Sequence, residues 1–296
     1  MFVLEDTPSS RFRRTGVASR TTTIADTGIS EYLSAEHIKH DRKYPAITYS
    51  DDKMMRVEKI KAPKLQTTKM VCDNPIDNKL LKYPACEANF ANNFFLIIVG
   101  AQGSGKTSTV ISLLKSCWNR VFEDAFLIMP SISRASIAEE DNVFKQLPED
   151  NVFDDFDEEA MSQIEEKTKE NSLNGEHSLL IVDDFGSTFS NEKLEQNKIL
   201  RRMCIKTRHH KCSVVLLLQN LYQLPKKLRE VSSSILFFNL GKSMNEKLIR
   251  EYLPYTEEQI KEIMSMFKGE HDWLIFSIKK RRIFYKLEKE LVFDEA

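Results

Sequence analysis

No apolar run in this 296-residue chain approaches the ~18 residues that a membrane-crossing helix needs, so a helical anchor is not expected. The opening residues, Met-Phe-Val-Leu-Glu-Asp, lack the charged-then-apolar layout of a secretory leader. The expectation is therefore a protein of the cytosol or an equivalent compartment. Cysteine is scarce: the five residues, Cys72, Cys86, Cys117, Cys204 and Cys212, are odd in number and widely scattered, which excludes a disulfide framework and favours reduced thiols. No internal repeat is evident. The net charge is only −1. That balance hides a segregation, because Glu139 to Glu170 carries 13 acidic residues against Lys145, Lys167 and Lys169, a local −10 that leaves +9 for the remainder. The acidic block reads as a solvated loop and an exposed helix, with a regulatory or DNA-repelling role as the alternative.

Hydrophobic residues make up 41% of the chain, enough for a sizeable core. Within them, Phe94 to Val99 is a fully apolar strand that runs into Gly100-Ala101-Gln102-Gly103-Ser104-Gly105-Lys106-Thr107, the phosphate-binding pattern G-x-x-x-x-G-K-[ST]. Glycines at 100, 103 and 105 let successive backbone N–H groups turn inward toward phosphates. Lys106 supplies a point charge to the β- and γ-phosphates, and the Thr107 hydroxyl is placed to ligate Mg²⁺. A helix of roughly Lys106 to Trp118 follows, with an apolar face of Val110, Ile111, Leu113, Leu114 and Cys117, and its N-terminus aims a partial positive charge at the anion. A flexible glycine loop that happens to contain Lys-Thr is the plain alternative. The strand before it and the amphipathic helix after it count against that reading. ATP and Mg²⁺ are the expected ligands.

The first 88 residues differ from the rest. They are rich in Thr, Ser, Lys, Arg and Asp, and Pro45, Pro63, Pro75 and Pro84 punctuate them. This reads as a partly disordered extension with short helical pieces near residues 29–38. Its cluster of Arg11, Arg13, Arg14 and Arg20 is either a solvated tail or a contact for nucleic acid or a capsid surface. From residue 89 to 296, strands and helices alternate, which predicts an α/β P-loop domain with a mostly parallel central sheet flanked by helices. Expected strands are 94–99, 125–129, 178–182, 213–218, 235–238, 273–278 and 283–287, the last two forming a hairpin across Lys-Lys-Arg-Arg.

Two further strand ends carry chemistry. Leu179-Leu180-Ile181-Val182 is closed by Asp183 and Asp184. The first carboxylate is expected to hold Mg²⁺ through water and the second to orient and deprotonate an attacking water, provided this strand lies next to 94–99. The apolar run Ser213 to Leu218 ends at Gln219, whose amide can bond both the γ-phosphate and the lytic water, or serve as an ordinary strand end. Just upstream, Lys198, Arg201, Arg202, Lys206, Arg208 and Lys211 place six positive charges in fourteen residues. Such a stretch suits DNA phosphates or a neighbouring subunit's nucleotide. The nearby His209, His210, Cys204 and Cys212 fit no common zinc spacing.

The order of strand, phosphate loop, Leu-Ile-Val-Asp-Asp, Arg-His-His-Lys-Cys-Ser-Val-Val-Leu-Leu-Leu-Gln and Leu-Pro-Lys-Lys-Leu-Arg resembles the genome-packaging ATPases of large DNA viruses, of poxvirus type, within the FtsK-HerA superfamily. The resemblance spans about residues 90 to 240. It implies a homo-oligomeric ring, pentamer or hexamer, that couples ATP hydrolysis to moving double-stranded DNA into a preformed capsid, with a capsid or portal protein as partner. The virion or a viral factory in the host cytoplasm would be its place of work. Carried over by position, Lys106 and Thr107 bind phosphate and Mg²⁺, Asp183 and Asp184 are the acidic pair, and Gln219 is the sensor. Arg208 and Arg229 match positions from which an arginine finger could act across a subunit boundary. Superfamily relatives often carry Glu where this chain has Asp184. Alternatives are a motor for protein or filament export, a nucleotide-bound structural protein and a small-molecule kinase; the Asp-Asp strand with Gln219 suits water activation better than transfer to a hydroxyl.

Overall fold

The computed structural model describes residues 76 and 82–293. The expected helical pieces near residues 29–38, the amino-terminal arginine cluster and Cys72 lie outside the described residues.

The long apolar runs form the middle of one sheet. In chain order its strands are β1 Phe95–Val99, β2 Asp124–Ile128, β3 Val152–Phe153, β4 Ser178–Val182, β5 Cys212–Leu218, β6 Ser234–Phe238, β7 Trp273–Ser277, β8 Arg282–Tyr285 and β9 Lys289–Leu291. They lie side by side as β3-β2-β4-β5-β1-β6-β7-β8-β9. The pairs from β3 through β6 are parallel, and β6–β7, β7–β8 and β8–β9 are antiparallel. Every residue of β1, β4, β5 and β6 is buried, as expected of parallel strands covered on both faces. Alternate residues feed opposite cores. Phe95, Ile97 and Val99 join one cluster, while Leu96 and Ile98 join the other.

Two helices cover one face: α1 Pro84–Phe90 and α2 Lys106–Lys115. The opposite face is covered by α4 Glu158–Asn174, α5 Glu195–Ile205, α6 Lys226–Arg229, α7 Lys242–Tyr252 and α8 Glu257–Ser265, while the short α3 Ser131–Ala135 follows β2 and buries none of its residues. Residues 84–88, read from the sequence as part of the extension, belong to α1. There Asn89 accepts a 2.6 Å hydrogen bond from Ser234, and Ser277 donates to the Ala88 carbonyl at 2.8 Å. Helix α2 stops at Lys115, three residues short of the expected end, yet Trp118 is buried and stacks on Phe94 with ring centroids 5.4 Å apart.

The acidic block departs from its expected character. Asp157 caps α4 by accepting from the Ala160 N–H at 2.8 Å, and Gly175 ends the helix with φ 89°. Between them Ala160, Met161, Ile164, Thr168 and Asn171 are buried, so α4 is half core rather than an exposed helix. Its buried Glu165 forks onto the Arg202 guanidinium at 3.1 and 3.0 Å and also pairs with Lys169 at 3.0 Å. Part of the basic stretch is therefore paired within the chain, at its surface. Lys198 likewise pairs with Glu195 at 2.8 Å, and Lys211 donates to the Gly175 carbonyl at 3.0 Å.

Parallel pairing brings strand ends to one edge. Val99 is level with Leu218, and Val182 with Leu216, so Gly100, Asp183 and Gln219 all leave the sheet on the same side. The expectation that the Asp183 strand adjoins β1 is corrected here, because β5 lies between β4 and β1. The seven-residue β5 pairs with both neighbours along its length, and the start of α2 leans over its end to reach β4.

Candidate nucleotide site

The phosphate loop is shaped by contacts that only glycine permits. A Cβ on Gly100 would lie 2.3 Å from Ser104 Oγ and 2.9 Å from the Phe238 ring, while Gly103 and Gly105 hold φ of 77° and 100°. The Ser104 N–H donates to the Ala101 carbonyl at 3.2 Å and closes the turn. Lys106 arches back over it, its buried ammonium donating to the carbonyls of Gly100 at 2.9 Å and Ala101 at 3.0 Å. Burial lowers the Lys106 pKa, and the Asp183 and Asp184 carboxylates oppose that shift.

The Thr107 hydroxyl donates to Asp183 Oδ2 at 2.7 Å, although the two residues are 76 positions apart and the strands that lead to them, β1 and β4, are not neighbours. Asp183 is 3% exposed, and burial pushes its carboxyl up to about 6 against the hydrogen bond from Thr107. Asp184 is exposed and holds φ 66°, in the left-handed region, and its Oδ2 accepts a 2.7 Å bond from the Ser133 hydroxyl. A cavity of about 680 Å³ is lined by Gln102, Gly103, Lys106, Thr107, Asp183, Asp184 and Gln219 together with Ser133. A smaller one of about 140 Å³, lined by Lys106, Asp184, Gly186, Gln219 and Gln223, shares three of these residues. The three strand ends singled out in the sequence thus open onto one space.

A hydroxyl, a buried carboxylate and an exposed carboxylate form an all-oxygen donor set beside a buried ammonium. That chemistry suits a hard divalent cation with a polyphosphate. Ser133 and Gln223 escaped the sequence reading because no motif marks them. Ser133 sits in Met-Pro-Ser-Ile-Ser after β2, and only the fold brings it to Asp184.

The two arginines are not brought to this cavity. Arg208 lies in the turn before β5, at the opposite edge of the sheet from Gln219; seven residues of strand separate the two ends, roughly 23 Å. Arg229 is 8% exposed, donates to Glu251 Oε1 at 2.5 Å and lies 4.8 Å over the Tyr222 ring. Neither lines either cavity. Cys204 and Cys212 are buried in the core, away from any role as accessible ligands.

Residues 85–296 match the family model described as the poxvirus A32 protein. The chain belongs to this family. Among solved structures, the A32-family chain is similar to B204, the DNA-packaging ATPase from Sulfolobus turreted icosahedral virus, at 16% identity and a TM-score of 0.50, over 65% of this chain and 96% of that one. This likeness shows a shared fold, that of a P-loop NTPase. B204 from Sulfolobus turreted icosahedral virus 2 in complex with AMPPCP aligns at 18% identity and a TM-score of 0.49, over 65% and 96% of the two chains. EssC (ATPases 2 and 3) from Geobacillus thermodenitrificans aligns at 14% and 0.45, over 66% of this chain and 39% of that one. No curated protein matches the A32-family chain in sequence.

Proposed function

We infer that this chain is an ATP-hydrolysing motor that moves double-stranded DNA into a preformed viral capsid. The observation that carries the reading is the meeting of Lys106, Thr107, Asp183, Asp184 and Gln219 around one cavity, in a chain of the A32 family. The fold shared with the DNA-packaging ATPase B204 supports DNA as the cargo.

In this reading the backbone N–H groups of 102–107 cradle the phosphates and Lys106 turns from its carbonyls to the β- and γ-oxygens. Thr107 and Asp183 would hold Mg²⁺, which when bound neutralises charge developing on the phosphoryl oxygens. Asp184 accepts the proton of a water molecule whose oxygen attacks the γ-phosphorus as the bond to the β-phosphate oxygen breaks. Gln219 donates its amide to the γ-phosphate and accepts from that water, so it registers whether the triphosphate is intact. Arg208 lies about a strand's length from its own cavity and Arg229 is held by Glu251, which supports an arginine supplied to ATP by a second copy. A homo-oligomeric ring on the virion's portal or in a viral factory is the assembly that supplies it.

The test is phosphate release from ATP and Mg²⁺ by the full chain and by Lys106→Ala. Wild-type turnover that the variant loses, with no phosphorylated second product, supports the reading. Phosphorylation of an added acceptor would instead make the chain a kinase, and ATP binding without turnover a structural protein.

A further inference from the structure

Beyond the motif residues, one side chain from the carboxy-terminal part of the fold touches the phosphate loop. Because β7 runs antiparallel to β6, with Trp273 level with Phe238, its start lies at the edge where the loop emerges from β1. There His271 Nδ1 lies 3.0 Å from the Ser104 carbonyl oxygen. A carbonyl only accepts, so the ring nitrogen donates and the neutral imidazole is the Nδ1–H tautomer. The contact is held from behind. Asp272 accepts from the N–H groups of Lys268 and Gly269, both at 2.8 Å, from the Tyr285 hydroxyl at 2.8 Å and from the Lys286 ammonium at 2.7 Å. The segment 268–272 is thereby fastened to β8.

The peptide between Ser104 and Gly105 is trans and planar, so its carbonyl and its N–H point in opposite directions. Tying the carbonyl to His271 aims the Gly105 N–H at the other side of the loop. Gly105 itself, at φ 100°, has no steric preference that would hold that plane alone. We propose that His271 is a positioning residue for ATP binding: it sets the Ser104–Gly105 peptide so that the Gly105 N–H faces the phosphates, and so ties the β7–β8 hairpin to the nucleotide site. This rests on the nucleotide reading given above.

The experiment compares KM for ATP and kcat in the full chain for wild type, His271→Ala, His271→Asn, His271→Gln and Lys106→Ala. Loss of one hydrogen bond that preorganises the loop raises KM in His271→Ala about tenfold while kcat stays within about twofold. The asparagine amide nitrogen occupies nearly the Nδ1 position, so His271→Asn restores KM, and His271→Gln, which mimics the other ring nitrogen, does not. A second readout needs no turnover: in the glycine-¹⁵N-labelled chain without nucleotide, the Gly105 amide resonance moves in His271→Ala and returns in His271→Asn. An unchanged KM and amide resonance in His271→Ala, or an asparagine variant as impaired as alanine, overturns the proposal while leaving the site reading intact. Activity that survives Lys106→Ala unchanged would instead sink the site reading, and this inference with it.

Discussion

Asp184 faces the cavity from a left-handed backbone position, φ 66°, which an L-residue other than glycine adopts at a cost of about 1–2 kcal/mol. Short polar side chains meet that cost best, which gives a local reason for aspartate here in place of a longer carboxylate. The strained turn and the hydrogen bond from Ser133 fix where the carboxylate points. Asp184→Asn should bind ATP normally and lose kcat by about two orders of magnitude or more, because the amide cannot take the proton. Ser133→Ala should lower kcat by about tenfold, the worth of one hydrogen bond to a charged group, with ATP affinity kept. Steady-state phosphate release together with nucleotide titration checks both. Retained kcat in Asp184→Asn would place the base elsewhere. Lys106, Thr107, Asp183, Asp184 and Gln219 were legible because each sits at a fixed offset from an apolar run. Ser133 and His271 were not, since each reaches its partner across 51 or 167 positions of chain through the fold alone.

Among the elements, β1, β4 and β5 were the plainest to read, buried on both faces and almost wholly apolar, and the partly exposed β2, β7 and β8 were read as well. The two-residue β3 and three-residue β9 are too short to show alternation and went unread. Strand order was likewise hidden, because β1, β4 and β5 are equally apolar and composition does not choose neighbours among them. That is why the place of β5 between β4 and β1 went unread. In α4, the charge average masked a buried stripe of Ala160, Met161, Ile164 and Thr168 at helical spacing. The hairpin across Lys-Lys-Arg-Arg did form, and Asp272 anchors its first strand. The Lys286 ammonium and the Tyr285 hydroxyl hold the Asp272 carboxyl well below the usual carboxylate range. A depressed folded value contributes stability above the ordinary value of about 3.9 that is lost as pH falls further. Asp272→Asn should therefore cost about 1–2 kcal/mol at pH 7 and flatten the fall in unfolding midpoint below pH 4, as followed by thermal denaturation. An acid limb as steep as that of wild type would show that Asp272 does not carry it.

At the scale of the whole molecule, the cavity is lined by Lys106 and Lys115 and by Asp141, Asp183 and Asp184, with Lys115 paired to Asp141 at 2.5 Å, and among the described residues no arginine lines it. We propose that a second copy supplies the arginine, which would couple hydrolysis to assembly. Mixing Lys106→Ala subunits, which cannot use ATP, with subunits lacking the finger arginine should restore activity at composite interfaces, where an intact site meets an intact arginine. Arg208→Ala and Arg229→Ala are tested separately in this mixture. Recovery with one identifies the finger, and recovery with neither means the group comes from elsewhere.

We propose that the nucleotide site works only in an assembly engaged on DNA. It is tested most directly by phosphate release per subunit, measured across protein concentration with and without double-stranded DNA. Specific activity should climb with concentration and climb again when DNA is added. A rate per subunit that is the same at every concentration and indifferent to DNA would contradict it.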